Sequence, residues 1–145
     1  MNIINKEFLC KILYPEDYNI DYIKTYYSLN SEFENLIEKS GYKNEFKKKY
    51  FKSLKFLVNL KEKCTEQNSL FEKLKNVQND LYSIKLHGNK NIRIIFIFKK
   101  IFNKEYVILL NAFQEKEKTD YTDGIMIAYD RIKKIEQVYQ GKLGG

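Results

Sequence analysis

The second half of the chain has the residue pattern of a β-sheet. Apolar and polar residues alternate over residues 81–87, and residues 92–100 and 106–113 are rich in β-branched and aromatic side chains. Short polar segments with turn composition separate these runs, at 88–90 and at 103–104. The pattern therefore predicts three strands in an antiparallel meander.

Helical periodicity dominates the first half. Over residues 42–63, apolar side chains recur every three or four positions and lysines occupy another face, which predicts a long amphipathic helix with a basic side. A shorter helix is predicted from Ser31 to Gly41, because Ser31 and Glu34 have the spacing of a capping box. Apolar residues at helical spacing within residues 20–27 predict one more short helix.

Two further elements complete the predicted fold. Residues 8–14 alternate until Pro15, which predicts an opening strand. After a polar segment at 114–123, apolar residues recur at helical spacing over 125–135, which predicts a C-terminal helix. The predicted class is α+β, with helices packed against one sheet. Because 145 residues is the size of one ordinary domain, we expect a single domain over residues 1–145.

The sequence also argues against several classes of protein. No apolar run approaches the ~20 residues that a membrane helix needs, and charges at Lys6, Glu7 and Lys11 interrupt the segment in which a secretory signal would lie. Cys10 and Cys64 lack the spacing of a zinc site. We therefore expect a cytoplasmic protein that has no membrane contact, no metal and no cofactor.

Positive charge is concentrated in the middle of the chain. The net charge is +7, and residues 43–75 alone hold 10 Lys against 4 acidic residues. Such a segment attracts polyanions, of which RNA and DNA are the commonest inside cells. The lysines predicted to bind RNA are Lys47, Lys48, Lys52, Lys55 and Lys73. The alternative is that they form an ordinary solvated surface.

A second group of cations is predicted on the sheet. Lys85 and His87 have the same parity on one strand, and a tight hairpin places Arg93 close to them. Lys116 and Lys118 follow the last strand. These five residues are the predicted catalytic set, because cations can stabilise the pentacoordinate transition state of phosphodiester cleavage without a metal. His87 is a candidate acid or base, and its alternative is an exposed histidine at a strand end.

Acidic residues next to this set were considered as catalytic carboxylates. Glu115 and Glu117 lie among lysines after the last predicted strand. We interpret both as surface charge.

Several segments, taken in order, resemble motifs of one protein family. They are Phe71-Glu72-Lys73-Leu74, Leu81-Tyr82-Ser83-Ile84-Lys85, Ile92-Arg93-Ile94-Ile95-Phe96, Leu109-Leu110-Asn111-Ala112-Phe113, Lys116, Lys118-Thr119, and Ala128 with Arg131. In their order and spacing they resemble the RelE/ParE superfamily of type II toxins, and in particular its phage-derived, HigB-like branch. The resemblance covers roughly residues 70–135.

The resemblance implies a RelE-like antiparallel or mixed sheet with N-terminal helices packed on it and a C-terminal helix. It implies a metal-independent endoribonuclease, an mRNA interferase that cleaves mRNA on the ribosome and arrests translation. The implied partners are mRNA, the ribosome and a cognate antitoxin of helix-turn-helix type. Lys85, Arg93, Lys116 and Lys118 match the cationic positions of the family.

The chain departs from the family pattern at three positions. Lys85 replaces an arginine, Glu115 a lysine and Asp120 a proline. A lysine lacks the planar fork that binds two phosphate oxygens. Two other functions therefore stay open: a ParE-like toxin that inhibits a protein such as DNA gyrase, and a catalytically degenerate phage-encoded protein that binds RNA or another protein.

Overall fold

A computed structural model of the protein describes residues 8–15, 18, 20–75 and 77–139. The described elements are β1 (Leu9–Cys10), β2 (Ile23–Tyr26), α1 (Leu29–Ser40), α2 (Lys43–Leu60), a 3₁₀ helix (Lys61–Glu66), β3 (Phe71–Lys73), β4 (Tyr82–Leu86), β5 (Ile92–Ile101), β6 (Lys104–Gln114) and α3 (Lys118–Tyr139). The strands form one six-stranded sheet in the order β1-β2-β6-β5-β4-β3. The predicted α+β class is confirmed.

The predicted meander forms the centre of the sheet. β4 pairs antiparallel with β5, and β5 pairs antiparallel with β6. Phe102 and Asn103 adopt positive φ values of 53° and 67° between the paired residues Ile101 and Lys104, which is the backbone that a two-residue hairpin turn requires. β3 adds antiparallel to β4, and β2 adds parallel to β6, so the sheet is mixed.

The helix predicted within residues 20–27 is wrong, because β2 (Ile23–Tyr26) is a strand. All four of its residues are buried, because Ile23 belongs to the core on one face of the sheet and Tyr26 to the core on the other. A strand buried on both faces loses the alternation that identifies strands, so its apolar spacing resembled that of a helix. The predicted opening strand is present but short, at Leu9–Cys10.

The other helices are present with shifted ends. α1 begins at Leu29 without a side-chain cap, and the Ser31 hydroxyl donates to the Ser28 carbonyl over 3.1 Å, so the capping box is wrong. Gly41 ends α1 with a φ of 79°, as predicted for a left-handed C-cap. The predicted long helix corresponds to α2. α3 begins at Lys118, inside the segment predicted to be a polar loop.

The two faces of the sheet carry separate cores. α1 and α2 pack on one face, and α3 packs on the other. Along β5, Ile92, Ile94 and Phe96 belong to the α1/α2 core, whereas Ile95 and Ile97 belong to the α3 core. By this alternation, Arg93 lies on the α3 face.

One ion pair connects α1 and α3 at the edge of β6. β2 pairs with Val107–Leu109 only. Beyond that point, Arg131 of α3 donates to the Leu110 carbonyl over 2.8 Å, and the Ala112 amide donates to Glu32 of α1 over 3.3 Å. Arg131 also contacts both Glu32 carboxylate oxygens, at 2.9 and 2.5 Å. Side chains therefore satisfy the strand edge that β2 leaves open.

Among the described residues, no helix combines the length and the apolar character that crossing a membrane requires.

Candidate functional site

Lys85 and Arg93 lie directly opposite each other on β4 and β5. Directly paired residues of antiparallel strands project to the same face, so the predicted proximity of these two cations is confirmed. Lys85 is half-buried, and its Nζ donates to the Asn68 carbonyl over 2.6 Å. Arg93 is buried, with 8% of its surface exposed. Two cations of unequal accessibility therefore lie side by side on the α3 face.

The guanidinium of Arg93 is incompletely satisfied. Its Nε lies 3.0 Å from Oε1 of Glu115, an ion-pair distance, but the N–H is not directed at that oxygen. Both Nε and Nη1 are buried and have no hydrogen-bond partner among the described residues. A buried charged group without partners is costly, and such groups concentrate at functional sites. Glu115 was interpreted as surface charge, and that interpretation is wrong because its carboxylate pairs with this buried arginine.

Lys85, Arg93 and Glu115 form a cluster of charged side chains. Two residues that the sequence did not single out, Glu72 and Tyr121, complete it. The Tyr121 hydroxyl, in the first turns of α3, donates to Oε1 of Glu72 on β3 over 2.7 Å. Burial, and then the hydrogen bond to Glu72, raise the pKa of Tyr121, whereas the positive charge of Arg93 lowers it. Tyr121 therefore stays protonated as a donor at neutral pH, and its hydroxyl lies within the electrostatic reach of Arg93.

A signal for Glu72 was present in the sequence. Glu72 pairs with Ser83, and Ser83 and Lys85 have the same parity on β4. Assigning residues 71–73 as a strand would therefore have placed Glu72 on the face of Lys85. Tyr121 gave no such signal, because its position depends on α3 starting as early as Lys118.

His87 lies just beyond the end of β4 and is exposed. Its Nδ1 is 3.4 Å from Oδ1 of Asn91, and its carbonyl oxygen accepts a hydrogen bond from Nζ of Lys49 on α2. No contact in the described part of the chain joins its ring to Lys85 or Arg93. The structure thus places His87 at the β4–β5 turn and does not bring its ring into contact with Lys85 or Arg93.

Lys116 lies on the segment that connects β6 to α3, Lys118 is the first residue of α3, and both are exposed. This segment has a defined backbone, because the amides of Lys116 and Glu117 donate to Oδ2 of Asp120 over 2.7 and 2.9 Å. These backbone hydrogen bonds lower the pKa of Asp120. Asp120 thus orders the segment that carries Lys116 and leads into α3 at Lys118.

The predicted RNA-binding lysines of α2 lie on the opposite face of the sheet. Lys48, Lys52 and Lys55 are exposed and form no ion pair with any described residue. With Phe51, Phe56 and Asn59 they line a shallow pocket of about 370 Å³. The sheet therefore separates these lysines from Arg93 and Lys85, so the two predicted cationic groups are not one surface.

Lys47 and Lys73 each have a partner close to the charged end of the side chain. Nζ of Lys47 lies 3.9 Å from the centroid of the Tyr14 ring. Nζ of Lys73 lies 3.5 Å from Asp80 and 5.8 Å from the centroid of the Tyr82 ring. Each of these two charges thus has a local partner. Lys55 has a weaker one, because its Nζ lies 5.4 Å from the centroid of the Phe51 ring, whereas Lys48 and Lys52 have no charged or aromatic partner among the described residues.

In the described part of the chain, no group of three or more His, Cys, Asp or Glu residues is arranged to hold a metal ion. The chain matches no protein-family model, and it has no significant match among curated proteins or solved structures. The geometry of the cluster is therefore the basis for proposing a function.

Proposed function

We propose that this protein is a metal-independent endoribonuclease, a toxin of the RelE/ParE superfamily that cleaves mRNA on the ribosome in the cytoplasm. The observation that carries the proposal is the Arg93 guanidinium, which is buried opposite Lys85 with two nitrogens that lack hydrogen-bond partners in the described part of the chain. A phosphodiester supplies the negative charge and the acceptor oxygens that such a guanidinium lacks.

The groups around Arg93 support the chemistry of RNA cleavage. The reaction removes the proton of the 2′-hydroxyl, forms a bond from the 2′-oxygen to phosphorus, and breaks the bond to the 5′-oxygen, which takes up a proton. The Glu72 carboxylate can accept the first proton. Tyr121, which stays protonated, can supply the second. Arg93 and Lys85 stabilise the charge that develops on the phosphoryl oxygens.

Exposed cations extend the proposed contact with RNA. Lys116 follows Glu115 along the chain, Lys118 begins α3, and His87 follows the end of β4. On the other face, Lys48, Lys52 and Lys55 offer a second contact for RNA or for the ribosome, with Lys47 and Lys73 as weaker contributors. An antitoxin of helix-turn-helix type is the expected inhibitory partner.

A second candidate function is RNA binding without cleavage. It is favoured by the charge balance of the cluster, in which Glu72 and Glu115 offset Lys85 and Arg93. A site of this kind has less net positive charge for stabilising a transition state. Under this alternative, the exposed lysines of α2 provide most of the affinity.

Single-turnover cleavage by Arg93→Lys separates these two functions. Lysine keeps the charge but cannot engage two phosphate oxygens, so we expect cleavage to fall by about tenfold to a thousandfold, or ~1.4–4 kcal/mol of barrier. RNA affinity should stay within a few-fold. The matched control is Lys100→Gln, which removes an exposed charge from the far end of β5 and should cleave at the parent rate.

The same protein should arrest translation when its expression is induced, with new mRNA 5′ ends inside reading frames. Bound but intact RNA would support the second candidate instead. Intact mRNA together with gyrase-linked DNA breaks would favour a ParE-like toxin. Cleavage at the parent rate by a folded Arg93→Lys variant would contradict the proposed site.

A further inference from the structure

Glu115 holds a position that a substrate phosphate would need. Its Oε1 is 3.0 Å from Nε of Arg93, and the two side chains are 28% and 10% exposed. The Glu115 amide donates to the Asn91 carbonyl over 2.8 Å, which fixes the main chain of Glu115 beside the start of β5. The carboxylate thus contacts the buried guanidinium and is itself the more exposed of the two groups.

A carboxylate and a phosphodiester make the same type of contact with arginine. Both are anions attracted to the guanidinium, so the Glu115 carboxylate opposes the arrival of a phosphate through its charge, although the Nε–H is not directed at Oε1. The partners also differ in freedom. Arg93 is enclosed within the sheet between β4 and β6, whereas Glu115 follows the end of β6 and is partly exposed, so a rotamer change can move its carboxylate into water.

We propose that Glu115 is an internal competitor that occupies Arg93 and must leave before a phosphate binds. Every phosphate ligand then binds with an affinity reduced by the fraction of molecules in which Glu115 has moved away. A polynucleotide recovers this cost through contacts with Lys116 and Lys118 on the adjoining segment, whereas an isolated phosphate does not. Glu115 thereby weakens the binding of every phosphate ligand by the same factor, and only a polynucleotide has further contacts that keep its affinity high.

This inference rests on the proposed function only in taking Arg93 as the phosphate-binding group. It is tested with two probes, inorganic phosphate and a 2′-O-methyl RNA oligonucleotide, which cannot be cleaved. Glu115→Gln keeps the shape of the side chain and removes its charge. We expect it to bind both probes about fivefold to tenfold more tightly, which is ~1–1.4 kcal/mol, and by the same factor for each.

Two controls separate competition from a general change of charge. Glu117→Gln removes the same charge from an exposed residue two positions away, and we expect its affinities to stay within about twofold of the parent. In an Arg93→Gln background, Glu115→Gln should give no gain, because the coupling between the two residues has been removed. A gain that persists without Arg93 would overturn the proposal, and so would parent affinity for both probes in Glu115→Gln.

Cleavage measurements distinguish a failure of this inference from a failure of the proposed function. If no variant cleaves RNA but Glu115→Gln gains phosphate affinity through Arg93, the competition stands and the nuclease does not. If cleavage requires Arg93 but Glu115→Gln binds no better than the parent, the nuclease stands and the competition does not. Circular dichroism checks that each variant folds. If Glu115→Gln does not fold, Glu115→Asp takes its place: it withdraws the carboxylate from Arg93 and should give a smaller gain in phosphate affinity.

Discussion

The two arginines of this chain are buried to a similar extent, but their guanidinium groups differ in how many hydrogen-bond partners they have. The Arg131 side chain is 13% exposed and contacts both Glu32 oxygens and the Leu110 carbonyl, and its guanidinium lies 4.8 Å from the centroid of the Tyr26 ring. The Arg93 side chain is 10% exposed, and two of its nitrogens lack hydrogen-bond partners among the described residues. Two similarly buried arginines thus differ greatly in their hydrogen bonds and ion pairs.

This difference suggests different roles. A buried charge with complete partners contributes to the fold, and removal of one partner is strongly destabilising. A buried charge with incomplete partners lowers stability, and proteins retain such groups mainly at functional sites. Arg131 has the features of a structural residue that connects α1, β6 and α3, whereas Arg93 has those of a ligand-binding residue.

Replacing Arg131 should have the largest effect on stability. Arg131→Met keeps much of the volume but leaves Glu32 without its cation and the Leu110 carbonyl without its donor. We expect the free energy of unfolding to fall by about 2–4 kcal/mol in urea titrations. Glu32→Gln keeps an oxygen for the Ala112 amide and should cost less. A loss below about 0.5 kcal/mol in Arg131→Met would contradict the structural role.

Replacing Arg93 by methionine should have a smaller effect on stability and should not lower it. Methionine needs no hydrogen bonds, and the partly exposed Glu115 can turn to solvent. We therefore expect the free energy of unfolding of Arg93→Met to be unchanged, or raised by up to about 1 kcal/mol, while phosphate binding is lost. Destabilisation as large as that of Arg131→Met would remove the distinction between the two arginines.

The parts of the fold that the sequence predicted are those whose residues show a simple period. The β4–β5–β6 meander and α2 each bury one regular set of positions, so their apolar patterns identified them. β2 buries every residue between two neighbouring strands, and no periodicity remained to separate a strand from a helix. β3 has only three residues, which is too short to establish a pattern.

The candidate site was predictable only where its members lie on neighbouring strands. Lys85 and Arg93 followed from parity and hairpin register. Glu115 and Tyr121 reach Arg93 from the connection to α3 and from α3 itself, and their contacts depend on how that helix packs on the sheet. The lysines of α2 were recognised as one helix face, but local sequence does not encode which side of the sheet a helix covers. Their separation from Arg93 therefore came only from the tertiary structure.

Asp21 provides the smallest effect, because its own carboxylate is largely exposed although one of its partners, Lys24, is buried. A hydrogen bond from Lys104, and then one from Lys24, lower the pKa of Asp21 from 3.8 to about 2. A carboxyl whose folded pKa is depressed stabilises the fold above its unfolded pKa, and this contribution is lost as the pH falls through the folded value. The side chain is 59% exposed, so solvent screening limits the contribution to about 1 kcal/mol or less.

Asp21→Asn should thus be slightly less stable than the parent at pH 7, and the difference should disappear as the pH falls from 3.8 to about 2. Urea titrations across this range measure it, with the exposed Asp123→Asn as control. A difference that does not change with pH would show that Asp21 acts through packing and not through its ion pairs with Lys24 and Lys104.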